Sequence, residues 1–181
     1  MKLQKYLKTK KEQTGDDFDA EKFAKILLNN VPNSHQLKTG VALWLVENNQ
    51  NPEFAVHLLS ETLVLTEQKP QRKPQFFKPD LWEKEIEKQK DKILLLLGRA
   101  WFNAGNFDEA SKAFYRVAEK KYPWGDVYYY LAKIALAEGK KDEAIENFCR
   151  SLEFGKREDD AKEILTQITL IEQSKPIPKI S

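Results

Sequence analysis

Apolar side chains recur at intervals of three and four residues through most of the chain, which is the spacing of one face of an α-helix. Between residues 17 and 67 this stripe predicts three helices separated by two breaks. The first break contains Pro32, which disfavours helical geometry at the residue before it, and the second contains Pro52, which suits the first position of a new helix. The pattern therefore predicts an all-α fold.

The helical pattern breaks most clearly over residues 68–80, QKPQRKPQFFKPD. Three prolines in this span exclude a regular helix, so we predict a proline-rich loop. Phe76 and Phe77 are its apolar exceptions, and we expect them to pack the loop onto a neighbouring helix, with an exposed partner contact as the alternative. A long helix is then predicted from Leu81 to about Ala104, charged in its first half and apolar in its second.

A short phrase occurs twice in the second half of the chain, as AGNFDEASKAF from residue 104 and as EGKKDEAIENF from residue 138. The two copies lie 34 residues apart (138 − 104), and the matched pairs are Leu97–Leu131, Gly105–Gly139, Asp108–Asp142, Glu109–Glu143, Ala110–Ala144 and Phe114–Phe148. Glycine suits the end of a helix, and acidic residues suit the first turn of the next one. A fixed period of this length indicates stacked helix-turn-helix units.

This pattern resembles the tetratricopeptide repeat family, in which a bulky residue, Leu-Gly, an aromatic residue, Ala, Phe, Ala and Pro follow one another at set spacings. A first repeat over residues 91–124 carries the matching residues Leu94, Leu97, Gly98, Trp101, Ala110, Phe114 and, one position late, Pro123. A second repeat over residues 125–158 has Ala135 where the aromatic residue is expected and has no closing proline. The resemblance implies a short right-handed α-solenoid over residues 81–174 that ends in a capping helix.

The remaining segments complete the predicted organisation. Residues 1–16 contain five lysines and are predicted to form a flexible basic arm. Residues 17–67 are interpreted as N-terminal helices with a degenerate repeat, and residues 175–181 as a tail. Because a repeat buries its faces only on its neighbours, we expect the N-terminal helices to complete the same superhelix.

In the tetratricopeptide repeat family, the first helices of successive units line a concave groove that holds a partner. Carried over by spacing, the groove positions are Lys92, Leu95, Arg99, Phe102 and Asn103 in the first repeat, Asp126, Tyr129, Lys133, Leu136 and Ala137 in the second, and Asp160, Glu163 and Gln167 in the cap. Some members clamp a C-terminal carboxylate with paired Lys and Asn, but Leu95 and Arg99 stand at those positions here. The resemblance thus implies a groove for a peptide or helix without that clamp.

Charge and composition narrow the classes of function. With 30 Lys and Arg against 28 Asp and Glu, the net charge of +2 gives no field that favours nucleic acid. The single cysteine, Cys149, cannot form an internal disulfide, which fits a cytoplasmic location, and we expect it to be buried beside Phe148. The sequence has no phosphate-binding glycine loop, metal-ligand spacing or nucleophile motif, so we predict no enzyme activity, cofactor, catalytic residue or metal.

The sequence therefore predicts a non-catalytic adaptor or scaffold that binds another protein in a helical groove. One alternative is a structural component that stacks on copies of itself or docks on a multiprotein machine. A second alternative is a binder of anionic surfaces that uses the basic arm. Nucleic acid is not an expected partner, and membrane contact would be peripheral at most.

Overall fold

The computed structural model describes residues 2–15, 19–32, 34–68, 74–76, 78–120, 124–155 and 158–174. Helices account for all of the regular secondary structure in these ranges: α1 Lys2–Thr14, α2 Ala20–Asn30, α3 His35–Glu47, α4 Pro52–Gln68, α5 Pro79–Asn103, α6 Phe107–Ala118, α7 Gly125–Ala137, α8 Lys141–Glu153 and α9 Glu158–Gln173. The predicted all-α class is confirmed. None of the helices in the described ranges is long and apolar enough to cross a membrane.

The chain divides into two compact units, Met1–Ala113 and Phe114–Ser181, here called the first unit and the second unit. In the first unit, α3 packs against α4 and α5, and both α1 and α2 pack against α3. The core of this unit consists mainly of aliphatic side chains, together with one tryptophan: Leu7, Ala24, Val41, Ala42, Trp44, Leu45, Leu58, Leu59, Ile93, Leu94, Leu97 and Ala100. For α3, α4 and α5, the apolar stripes that predict the helices are therefore also the sides that they bury.

Polar side chains cap the N-termini of α3 and α4. The Ser34 hydroxyl accepts a hydrogen bond of 3.2 Å from the backbone amide of Leu37 at the start of α3. The Asn51 side chain does the same for the amide of Phe54 at 3.1 Å, and Pro52 is the first residue of α4, as predicted.

The segment predicted as a flexible basic arm forms helix α1 instead. Leu7 is only 1% exposed, and the ring centroids of Tyr6 and Phe23 are 5.6 Å apart. The ammonium group of Lys11 lies 3.5 Å from the side-chain oxygen of Asn48. The prediction was wrong because it relied on the many lysines of this segment and gave too little weight to its few apolar residues. These residues form one side of α1, and burial of that side in the first unit stabilises the helix.

In the second unit, α7 and α9 both pack against α8. A glycine in left-handed geometry ends the turn after α7, since Gly139 has a φ of +77°. The core cluster of this unit consists of alanine, phenylalanine and isoleucine side chains: Ala132, Ala135, Ala144, Phe148, Ile164 and Ile171. The small alanines allow α7 and α8 to approach each other closely, while the phenylalanine fills the space between the helices.

Two expectations about exposed and buried residues were wrong. Phe76 is 84% exposed rather than packed on a neighbouring helix, and Phe77 lies outside the described residues. Cys149 is exposed rather than buried, because successive helical residues point about 100° apart and Phe148 takes the core position.

Candidate protein-binding site

Helix α7 has one buried side and one partly open side. Its buried residues are Val127, Tyr128, Leu131, Ala132, Ile134 and Ala135. Tyr129, Lys133 and Leu136 follow each other at intervals of four and three residues, so they share the opposite stripe of the helix. All three side chains are half-buried. The structure thus places three of the five predicted groove residues of the second repeat in one row, while the other two, Asp126 and Ala137, are exposed near the two ends of α7.

Tyr129 is the centre of this row. Its hydroxyl donates a hydrogen bond of 2.8 Å to Oε1 of Glu163 on α9. The Lys133 ammonium lies 5.4 Å from the centroid of the Tyr129 ring, within the range of a cation–π contact. The edge of the ring packs on Phe148, with the centroids 6.0 Å apart. The phenol ring is therefore held from several directions, and its orientation is fixed before any partner binds.

The predicted cap residues lie on α9. Glu163 is exposed apart from its hydrogen bond with Tyr129, and Gln167 is half-buried. Ile164 is fully buried beside them and fixes α9 to the core cluster of the second unit. The side chain of Asp160 lies outside those that the structure describes. We call the residues Tyr129, Lys133, Leu136 and Glu163 the α7–α9 face.

The groove residues of the first repeat lie on α5 in the first unit. Lys92 is exposed, whereas Leu95 and Arg99 are half-buried. Lys92 also borders a cavity of about 310 Å³ that is lined by residues of α3, α4 and α5. We call the residues Lys92, Leu95 and Arg99 the α5 face.

Two other groove residues of the first repeat make packing contacts within the first unit. The Asn103 side-chain amide donates a hydrogen bond of 3.1 Å to the backbone carbonyl of Val46, at the end of α3. The Phe102 ring packs on Phe107, with the centroids 5.5 Å apart. Sequence spacing did not predict either contact, because each depends on where two helices meet in space.

Comparison with known proteins identifies one repeat family in part of the chain. Residues 93–123 match the family model of the tetratricopeptide repeat, which confirms the repeat predicted over residues 91–124. No curated protein matches the chain. The matched segment starts in the apolar half of α5 and includes all of α6, the two helices joined at Gly105. Residues 93–123 therefore carry a tetratricopeptide repeat within an all-α architecture.

Proposed function

We propose that this protein is a non-catalytic adaptor that binds a segment of another protein on the α7–α9 face. The tetratricopeptide repeat is in general a protein-interaction module, which supports a protein as the class of partner. The observation that carries the proposal is the row of Tyr129, Lys133 and Leu136 with Glu163 hydrogen-bonded beside it.

The chemistry of this face suits a peptide or a helix. Lys133 and Glu163 offer opposite charges, and charge-assisted hydrogen bonds to them would fix the register of a bound segment. Tyr129 and Leu136 offer apolar area, and tyrosine is enriched among the residues that dominate binding energy at interfaces. Because Tyr129 is already held in place, little side-chain entropy would be lost when a partner binds.

The α5 face is proposed as a contact in its own right. Arg99 is half-buried, and a guanidinium group binds carboxylates in a fixed bidentate geometry. Lys92 adds a second, exposed cation on the same helix. A partner segment that carries acidic residues would fit this face.

Helix α1 weakens the alternative of an anionic-surface binder. That alternative depends on a flexible basic arm, whereas Leu7 is buried and α1 is packed on α3. Helix α1 is therefore part of the fold of the first unit.

The test starts with affinity capture on the full chain from its native cells, followed by mass spectrometry. The captured protein is then purified, and its affinity for the full chain is measured by calorimetry. We expect Lys133→Glu to weaken binding about tenfold or more, as at other interface residues of high energetic weight. Lys84→Glu is the matched control, since Lys84 is exposed in the charged half of α5 and the charge change is the same.

Arg99→Glu tests the α5 face in the same assay. Loss of affinity in Lys133→Glu and Arg99→Glu, with Lys84→Glu behaving like the wild type, supports both faces. If Lys133→Glu binds the purified partner as tightly as the control does, the partner does not use the α7–α9 face.

A further inference from the structure

The first unit contains a cavity of about 310 Å³ between helices α3, α4 and α5. The buried residues Thr62, Thr66 and Ile93 form its bottom, whereas the exposed residues Gln36 and Lys92 lie at its mouth. Ligand pockets in proteins have volumes of about 300–1,000 Å³, mainly apolar walls and a few polar groups that orient the ligand. The chemistry of the walls therefore decides which ligand fits this cavity.

The wall of the cavity is apolar although two threonines form part of it. The Thr62 hydroxyl donates a hydrogen bond of 2.7 Å to the backbone carbonyl of Leu58, and the Thr66 hydroxyl donates one of 2.7 Å to the carbonyl of Thr62. Because both hydroxyl hydrogens are used within α4, the two side chains present mainly their methyl groups to the cavity. Ile93 and Leu43 add aliphatic surface, so almost the entire wall is apolar.

The imidazole of His35 is held at one edge of the cavity. Its Nδ1 lies 3.3 Å from the hydroxyl oxygen of Thr66. Since the one hydrogen of that hydroxyl is donated to the carbonyl of Thr62, the imidazole N–H must be the donor in this contact. The polar atoms of His35 and Thr66 on this side are therefore satisfied within the protein and require no polar atom of a ligand.

The size of the cavity sets the size of an apolar ligand. Water binds where it finds about two to four polar partners, whereas an apolar cavity of about 150 Å³ stays dry and is large enough for benzene. A cavity of about 310 Å³ has twice that volume and therefore suits roughly six to eight carbon atoms.

The shape of the cavity favours a chain over a ring. Its lining along α3 runs from His35 to Leu43, which is about 12 Å at the rise of an α-helix. On α4 and α5 the lining extends over only about one turn each, from Thr62 to Thr66 and from Gln89 to Ile93. The cavity is thus elongated along α3.

The charge on the cavity is positive and lies at its mouth. Lys92 is the only Lys, Arg, Asp or Glu among the residues that line it. Among the carboxylates in the described ranges, none forms an ion pair with Lys92. The ammonium group of Lys92 is therefore complementary to an anion that sits at the mouth of an apolar cavity.

We propose that this cavity binds a small aliphatic carboxylic acid, in its carboxylate form, with a chain of roughly six to eight carbons. The chain lies against Leu43, Thr66 and Ile93, where removal of apolar surface from water drives binding. The carboxylate accepts a charge-assisted hydrogen bond from the ammonium of Lys92. This activity goes beyond the protein binding proposed for the α5 face, although Lys92 belongs to both sites.

Other classes of small molecule fit the cavity less well. An alkylammonium ion would bring its charge close to the ammonium of Lys92, and like charges at such a distance repel. A sugar or another polar molecule would lose its hydrogen bonds to water and find few replacements on the apolar wall.

The test is an NMR titration of the full chain, labelled with ¹⁵N and with ¹³C in its methyl groups. The probe is sodium octanoate, with sodium acetate and n-octylammonium chloride as controls at equal ionic strength. We expect saturable shifts of the methyl groups of Leu43, Thr66 and Ile93 with octanoate, at a dissociation constant of about 0.1–1 mM. Acetate lacks the chain and should cause no saturable shift, and octylammonium should bind about fivefold more weakly or worse.

Three variants locate the binding. Lys92→Gln removes the charge at the mouth and should weaken octanoate about two- to fivefold, the range for an exposed ion pair. Lys88→Gln makes the same change one turn earlier on α5, at an exposed residue outside the cavity, and should bind like the wild type. Thr39→Trp enlarges a half-buried residue of the wall and should weaken octanoate about tenfold or more. Unchanged backbone spectra away from the cavity show that each variant is folded.

Four results overturn the inference: no saturable shift of the cavity methyl groups with octanoate, equal affinity for octylammonium, equal affinities of Lys92→Gln and Lys88→Gln, or unchanged binding by Thr39→Trp. Octanoate binding that follows the expected order of probes and variants supports it. The titration contains no protein partner, so its failure and the failure of the proposed function are separate outcomes.

Discussion

The hydroxyl of Tyr129 on α7 donates a hydrogen bond of 2.8 Å to Glu163 on α9, which lies 34 residues further along the chain. That separation equals the period of the repeated phrase. Equivalent positions of successive repeats lie side by side when the repeats stack. A hydrogen bond between residues 34 positions apart is what the repeat register predicts if α9 is the capping helix that follows α7 and α8.

Removal of the Tyr129 hydroxyl should cost little stability. Tyr129→Phe keeps the ring and its contact with Phe148 but removes the hydrogen bond to Glu163. Because Glu163 is exposed and water can replace the phenol, we expect a loss of about 0.5–1 kcal/mol in the free energy of unfolding. Urea unfolding of Tyr129→Phe, Glu163→Ala and the double variant measures the coupling, since alanine removes the acceptor. Fully additive losses would mean that the bond contributes nothing to stability.

Truncation of the phenylalanine in the core of the second unit should be far more damaging. Phe148 is 1% exposed and packs in the cluster with Ala132 and Ile164. Phe148→Ala leaves a cavity and should lower the free energy of unfolding by about 3–5 kcal/mol. The matched control is Phe154→Ala, since Phe154 is exposed and stacks only at 5.4 Å on Tyr128, a contact of about 0.5–1.5 kcal/mol. Similar losses for the two variants would contradict the position of the core.

The ion pair between Lys38 and Glu61 should make stability depend on pH. The ammonium of Lys38, which is 8% exposed, donates a hydrogen bond of 2.7 Å that lowers the pKa of the Glu61 carboxyl below its ordinary value of 4.5. A lowered folded-state pKa gives stability that is present above the unfolded pKa and is lost as pH falls through the folded value.

The lowered pKa of Glu61 determines the direction in which Glu61→Gln changes the stability of the protein. The variant should be less stable than the wild type at pH 7, and this difference should shrink once the pH falls below about 4.5, the ordinary carboxyl value. Urea unfolding at a series of pH values measures it, with Glu53→Gln as an exposed control on the same helix. A difference that does not change with pH would show that Glu61 acts through packing and not through its charge.

Leu7 should anchor α1 to the first unit. Leu7→Ala removes a buried side chain and should cost about 2–5 kcal/mol, the range for buried leucines. Lys8→Ala changes the exposed neighbour and should have almost no effect. Thermal unfolding followed by circular dichroism compares the two variants. Equal unfolding midpoints for Leu7→Ala and Lys8→Ala would mean that Leu7 does not anchor α1, as expected for a flexible arm.

Local patterns predicted most of the helices, because the information for a helix lies within a few turns of chain. Pro52 marks the start of α4, and the paired glycines Gly105 and Gly139 lie in the turns after α5 and α7 with positive φ. The repeat period also predicted the cores correctly, since Phe114 and Phe148 are both buried. Phe114 and Phe148 occupy equivalent positions of the two predicted repeats, so a single chain reveals them by repetition.

The sequence could not predict features that depend on how separate helices meet. The hydrogen bond from Asn103 to the carbonyl of Val46 joins residues 57 positions apart, and no spacing rule connects them. Thr62 and Thr66 lie on a helix with an ordinary apolar stripe, and only the placement of α3 and α5 reveals that they line a cavity. Helix α1 was missed for a different reason. Its composition is dominated by lysines, so the few apolar residues that pack it in place, such as Leu7, form no clear stripe in the sequence.

The backbone amides of α5 should differ in their protection from deuterium exchange along the length of the helix. The buried residues of α5 all lie from Ile93 onward, whereas its first three turns have none and contain an ion pair within the helix, with Lys90 3.8 Å from Glu87. Local opening costs least where few apolar groups are buried. Backbone amides near Lys84 should therefore exchange with deuterium well before those near Leu97, so that one continuous helix contains both an early-opening end and a late-opening end.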